Sequence, residues 1–306
     1  MPRIPTEFLE CVFYLYKSVD DANAVDNKAG GSGFFVAVND SCPYGTADDG
    51  TPVTRLVRHI YAVTNDHNIS NGYPVIRLNA HGKHAPLPLT ADKWVRHPSG
   101  DDLSISLVSP GDRFQWRAVD ESMIVGIKGF SNRDLGIGYG DDVFMVGRFV
   151  THQGIQRNTP MMRFGNVAMT TIEPVEQWER SDFQQDSILI DMRGVPGFSG
   201  SPVFAYKQSI NIDHIAKPPW PLDRIHFSIH KEDIQLLGVE WGALFVPSNH
   251  QSGLRMTQNE HPSGISGVVP AWKLRDLLYN KEVGKSRREA SMQYIKEADS
   301  QSVTLL

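Results

Sequence analysis

GVPGFSGSPVF, residues 194–204, sets Ser199 between Phe198 and Gly200 and then runs into an apolar stretch. Glycine adopts the left-handed dihedrals that tight turns demand. The segment therefore reads either as a turn holding a serine hydroxyl at the mouth of a strand or as the bare tip of a turn, and its glycines alone do not choose. SILIDM (187–192) before it and SPVFAY (201–206) at its end both have the short apolar pattern of strands.

Further out the pattern repeats. ECVFYLYKS, SGFFVAV, LVRHIYAVT, YPVIRL, KWVRH and LSISLV make six strands before residue 110. DVFMVGRFV, MRFGNVAM, SILIDM, SPVFAY, IQLLGVEWGALF and SGISGVVPAW make six more. Between the two sets, residues 109–140 lose the alternation and read as a connection, so the chain is expected to be all-β in two halves, 1–125 and 126–283. Even spacing of short strands suggests barrels or sandwiches, because closure removes exposed edges. Only the C-terminus looks helical: PAWKLRDLLYN brings Trp272, Leu274, Leu277 and Leu278 near one face, and residues 284–306 read as a polar tail with a frayed helix. Residues 39–54, 208–233 and 246–263 read as surface loops.

The composition narrows the partners. With 306 residues, 40% of them apolar, the chain has enough material for a core. A net charge of −5 and no long basic run give no footprint for nucleic acid or anionic lipid, and neither partner is expected. No segment is long and apolar enough to span a bilayer, and the opening residues lack an export leader. Cys11 and Cys42 show no CxxC or Cys/His metal spacing, which points to a reducing cytoplasm without disulfides or zinc. HGKH (81–84) lacks a third metal ligand, and GIGYG (136–140) lacks the helix and Lys-Ser/Thr of a phosphate loop.

A serine hydroxyl is a poor nucleophile unless a base takes its proton and an acceptor orients that base. His67 follows the strand IYAVT, and Asp102 directly precedes the alternation Leu103, Ile105, Leu107. Their neighbours Asp66 and Asp101 read as solvated or capping residues, and Arg193 as a surface or structural cation.

TNDH (64–67), DLSI (102–105) and GFSGSP (197–202), in that order, resemble the trypsin/chymotrypsin-like serine peptidases, nearest to bacterial HtrA-type and glutamyl endopeptidase domains. GSGFFVAV (31–38), VEWG (239–242) and SGVVPAWKLRDLL (266–278) extend the resemblance over most of residues 10–280, leaving no room for a PDZ module. The resemblance implies two six-stranded antiparallel barrels, with His67 as base, Asp102 as its orienter and Ser199 as nucleophile in the cleft between them. It implies an oxyanion hole from the N–H groups of Gly197 and Ser199, and an edge at Glu240, Trp241 and Gly242 to which a protein or peptide substrate adds as a strand. No metal or organic cofactor is implied.

Three positions depart from the family. Phe198 stands where many animal trypsins carry the aspartate that pairs with a new N-terminus. Arg193 occupies the position that sets trypsin's basic preference, and Glu240 stands where glutamyl endopeptidases place a histidine. Arg193 and Glu240 could pair with each other across the pocket. An α/β-hydrolase is set aside, since a strand rather than a helix follows Ser199. The remaining rival is a catalytically silent or latent trypsin-like fold used as a binding or regulatory module.

Overall fold

The apolar runs form two β-sheet bodies whose facing surfaces share one core. The computed structural model describes residues 3–24, 29–46, 49–127, 136–150, 154–170, 174–177, 180–206, 234–248 and 259–303. The expected loop 208–233 lies outside them.

In the first half the strands are β1 (Val12–Tyr16), β2 (Ser32–Thr46), β3 (Pro52–Thr64), β4 (Val75–Ala80) and β5 (Lys83–Leu87). They continue as β6 (Val95–Arg96), β7 (Ser104–Val108), β8 (Phe114–Gln115) and β9 (Val119–Asp120). The order is β5-β4-β1-β2-β3-β7-β6, with β8 on β4 and β9 parallel to β2, so this half is a half-barrel sheet of nine strands. The three beyond the expected six are short edge pieces in loops that sequence alternation is too brief to mark.

The second half contains β10 (Asp142–Gly147), β11 (Met161–Thr170), β14 (Ile188–Asp191), β15 (Pro202–Tyr206), β16 (Ile234–Ser248) and β17 (Asn259–Pro270). These close as the barrel β10-β11-β14-β17-β16-β15, while β12 (Val175–Gln177) and β13 (Arg180–Gln185) form a separate hairpin. With a C-terminal helix following, the architecture is the trypsin-like double barrel. No helix among the described residues is long and apolar enough to cross a membrane.

Strand β1 shows why the halves hold together. Its five residues are all buried, and alternate side chains point to opposite faces. Phe13 and Leu15 fill the first half's interior with Phe35 and Ile76. Tyr14 and Tyr16 join Phe34, Phe144, Phe204 and Trp241 in a core that spans both halves. Phe8 meets Phe144 and Phe204 edge-on at 5.5 and 4.8 Å, adding aromatic contacts across that junction.

Two expected loops are strands. Residues 39–46 and 52–54 extend the β2–β3 hairpin, paired from Asp40↔Val57 out to Thr46↔Pro52 with one bulge between Pro43 and Gly45. Residues 246–248 and 259–263 extend β16 and β17, pairing Ser248 with Asn259, and the tip between them is outside the described residues. Polar composition suggested loops, but backbone pairing along a hairpin needs no apolar side chains.

The expected polar tail is a docked helix, Lys281–Val303, after the short helix Ala271–Leu278. Val283, Arg287, Ser291 and Ile295, four residues apart, are buried along one face. Ile295 packs on Cys42 and Val57, Ser291 Oγ lies 2.6 Å from His59 Nε2, and Arg287 reaches Asp40 at 3.1 Å and the Leu278 carbonyl at 2.7 Å. The stripe was hidden because two of its four residues are polar. Arg287→Ala should destabilise the protein by about 3 kcal/mol, since Asp40 then keeps a largely buried charge without its partner. Urea unfolding would measure this, and an unchanged midpoint would contradict the docking role.

Candidate active site

Register places the first two groups. Strands β3 and β7 pair Thr64 with Ser104, so His67, on a short helix (Asp66–Ser70) just past β3, and Asp102, just before β7, emerge at the same end of the sheet. His67 Nδ1 lies 2.7 Å from Asp102 Oδ2, and the His67 backbone N–H donates to Oδ1 at 2.9 Å. Asp102 is 0% exposed. Burial pushes its pKa up, but the His67 charge, both hydrogen bonds from His67 and one from Gln177 outweigh it and hold the carboxyl below the usual value.

Amides from both halves hold Asp102, one of them on its carboxylate. Gln177 Nε2 donates to Asp102 Oδ2 at 3.3 Å, and Gln185 Oε1 accepts the Asp102 N–H at 2.8 Å. Asn65 Nδ2 donates to the Asp102 carbonyl at 2.9 Å. Sequence reading missed all three amides, whose residue types in a strand or turn carry no signal of their partner.

The neighbouring carboxylates are not solvated. Asp66 accepts from Ser104 Oγ at 2.8 Å and pairs with Arg96 at 3.1 Å. Asp101 lies 3.0 Å from His97 Nδ1 and 3.3 Å from Lys273 Nζ, and accepts from Gln185 Nε2 at 2.8 Å. Its pKa is held low against burial by these groups. Lys273 belongs to the short helix after β17, so partners distant in sequence make burial of Asp101 tolerable.

The Ser199 turn is shaped by two glycines in the left-handed region, Gly197 at φ +99° and Gly200 at φ +91°. A Cβ at Gly200 would strike the Ser32 carbonyl and Thr64 Oγ1. Phe198, between them, is fully buried in the second barrel's core, which explains an apolar residue at that position. Ser32, at the start of β2, then clasps the turn: its N–H donates to the Ser199 carbonyl at 2.9 Å and its Oγ to the Gly197 carbonyl at 2.8 Å. Asn68 Nδ2 donates to the same Ser199 carbonyl at 3.1 Å. Ser32 and Asn68 went unnoticed in sequence, although GSGF and TNDH adjoin them.

The N–H groups of Gly197 and Ser199 donate to no acceptor among the described residues. The Ser199 hydroxyl donates to the Trp241 carbonyl at 3.4 Å. His67, Asn68, Arg193, Gly197, Ser199, Glu240 and Gly242 line one cleft of about 860 Å³ between the halves. A larger hollow of about 1080 Å³ elsewhere on the first half holds none of these seven. No cluster of metal-ligating side chains occurs among the described residues.

Of the edge expected at Glu240, Trp241 and Gly242, the first residue already has its backbone paired. Glu240 spends both backbone groups on Ser201 and Gly200, at 3.0 and 2.9 Å. Pairing of β15 with β16 stops at Pro202↔Val239, so the edge facing the cleft begins at Trp241 and continues through Gly242 and Ala243. The Trp241 ring turns away, donating to Ser187 Oγ at 3.0 Å against Gly267, so this residue offers only its backbone. Glu240 is 1% exposed, and its charge acts on Arg163. Burial and Arg193 push the Arg163 pKa down, and Glu240 opposes them.

No family model and no curated protein matches this sequence. Among solved structures, the apo MamO protease domain from Magnetospirillum magneticum is 14% identical, with 90% of this chain and 98% of that chain covered and a TM-score of 0.50. The Rv3671c protease from M. tuberculosis H37Rv, in its inactive form, is 13% identical over 89% of both chains, with a TM-score of 0.43. What this chain shares with the MamO domain is the fold.

Two predictions follow from the buried groups. Ser32→Ala removes a hydroxyl that both donates and accepts at the junction, and should cost about 1–3 kcal/mol in urea unfolding. Asp102 has a lowered pKa in the fold, so its contribution is present above the unfolded value of about 3.9 and is lost as pH falls through the lower folded value. Asp102→Asn should therefore lose less stability than wild type on acidification below about pH 5, and an unaltered acid limb would count against the ionised pair.

Proposed function

We propose that the protein is a serine endopeptidase working through an acyl-enzyme. The observation that carries this reading is the pairing of His67 Nδ1 with the buried Asp102 at 2.7 Å, in a cleft that His67 shares with Ser199. Asp102 would keep the outer imidazole nitrogen as an acceptor and stabilise the imidazolium that forms. In this reading residues 1–125 bring base and orienter, and residues 126–283 bring the nucleophile and the oxyanion donors.

Turnover would begin when the Ser199 hydroxyl leaves the Trp241 carbonyl and turns to His67 Nε2. His67 takes the proton as Oγ attacks the scissile carbonyl, and the developing oxyanion meets the N–H groups of Gly197 and Ser199. Collapse expels the amine, which takes the proton from His67. Water then repeats the sequence on the acyl-enzyme. An extended protein or peptide substrate would add to the Trp241–Ala243 edge, whose pairing with β15 has ended. These steps call for no metal or organic cofactor. Cys11 and Cys42 are free and buried, which suits action in a reducing cytoplasm.

One observation favours a second reading, a latent or catalytically silent module: the hydroxyl of Ser199 donates to Trp241. Labelling with a fluorophosphonate probe separates the two. Wild type should label, Ser199→Ala should not, and His67→Ala should label at least about a hundredfold more slowly. A folded wild type that resists the probe would establish the silent module instead, and equal labelling of wild type and Ser199→Ala would overturn the assignment of the nucleophile.

A further inference from the structure

Away from the cleft, the core between the two halves contains a cluster of hydrogen-bond donors that meets no carboxylate among the described residues. Arg77, on β4, is 0% exposed. Its Nε donates to Asn158 Oδ1 at 2.8 Å, whereas Nη1 and Nη2 meet no partner among the described residues. The guanidinium stacks on Tyr16 and Tyr14, with centroid distances of 4.7 and 5.7 Å. Tyr16 is also fully buried, and its hydroxyl is unpartnered. Arg148, from the second half and 1% exposed, lies close enough to act electrostatically on Arg77 and Tyr16.

Asn158 locks this place from both sides. It receives the Arg77 Nε–H, donates Nδ2 to the Arg77 carbonyl at 2.8 Å, and exchanges two further bonds with Asn79 at 2.7 and 3.1 Å. Its amide oxygen is thus committed to Nε. The two tyrosines and Arg148 act on Arg77 and His84 feels its charge, and none of these is a carboxylate. Burial raises the pKa of both tyrosines, so they stay neutral donors rather than counter-ions. Arginine does not shed its proton in proteins. Cation–π contacts offset part of the desolvation of Arg77 but fill none of its in-plane N–H positions. Buried charge is ordinarily paired, and a bridging water would satisfy geometry without supplying charge.

We propose that Arg77 Nη1 and Nη2, together with the Tyr16 hydroxyl, bind a small monovalent anion of chloride size in the core between the two halves. The ligand is held by N–H and O–H donors and balances the Arg77 charge, with Arg148 adding positive potential. Its place beside Asn158, which comes from the segment leading into β11, makes it a structural ion that ties the second half to β4.

Chloride is the probe. Thermal unfolding of the full chain in sodium chloride and sodium gluconate mixtures of constant ionic strength should show a midpoint that rises and saturates with chloride. Chloride-35 NMR should show excess line broadening in wild type that Arg77→Met abolishes. Tyr16→Phe keeps the aromatic face and loses one donor, and should weaken the chloride midpoint roughly fivefold, which keeps the test intact should Arg77→Met fail to fold. Equal midpoints in chloride and gluconate without excess broadening would overturn the proposal in favour of bridging water. Broadening that survives in a folded Arg77→Met, or chloride affinity unchanged in Tyr16→Phe, would overturn it as an adventitious ion only.

Discussion

Ser32 satisfies all its hydrogen-bonding groups across one junction, and the rest of the site depends on that. Its N–H and Oγ–H hold the carbonyls of Ser199 and Gly197, its Oγ accepts the Arg148 N–H, and its carbonyl accepts the Thr64 hydroxyl. Those bonds tie the serine turn of the second half to β2 and β3 of the first. They fix the peptide groups that join Gly197 to Phe198 and Ser199 to Gly200. The N–H groups of Gly197 and Ser199, in the adjoining peptide groups, meet no acceptor among the described residues. Gly200 is obligatory there because its Cα lies against the Ser32 carbonyl.

A second consequence is reciprocity between the halves. The first brings His67 and Asp102, yet Asp102 is steadied from the second by Gln177 on its carboxylate and Gln185 on its backbone N–H. The second brings Ser199, yet its turn is steadied by Ser32 and Asn68 of the first. A buried carboxylate left with fewer donors would take up a proton instead of staying charged. The geometry of the cleft is therefore a property of the junction, and of neither sheet alone.

Buried polar groups recur along that junction. Asp101 joins His97 to Lys273, Arg287 joins the C-terminal helix to Asp40, and Arg77 sits between Tyr16 and Asn158. The first two carry their counter-charges with them, which is what makes their burial tolerable. Arg77 differs in having aromatic faces and an amide in place of a carboxylate.

Alternation and turn residues were enough to read the all-β class, the two halves, and the positions of His67, Asp102 and Ser199 at strand ends, because those signals are local and periodic. Hidden from the sequence were the extended β2–β3 hairpin, the stripe Val283–Arg287–Ser291–Ile295, and the burial of Asp66 and Asp101. Backbone pairing and ion pairing do not require apolar side chains, so composition is silent about them. Trp241 shows the same limit at one residue: its place on a strand was legible, but the direction of its ring depended on Ser187 and Gly267, which only folding brings near. The sequence by itself determined which groups could do chemistry and at which strand ends they stand. Tertiary structure alone decided which carboxylates are buried and paired, which carbonyls Ser32 engages, and where the free edge begins, because each rests on hydrogen bonds between residues far apart in the chain.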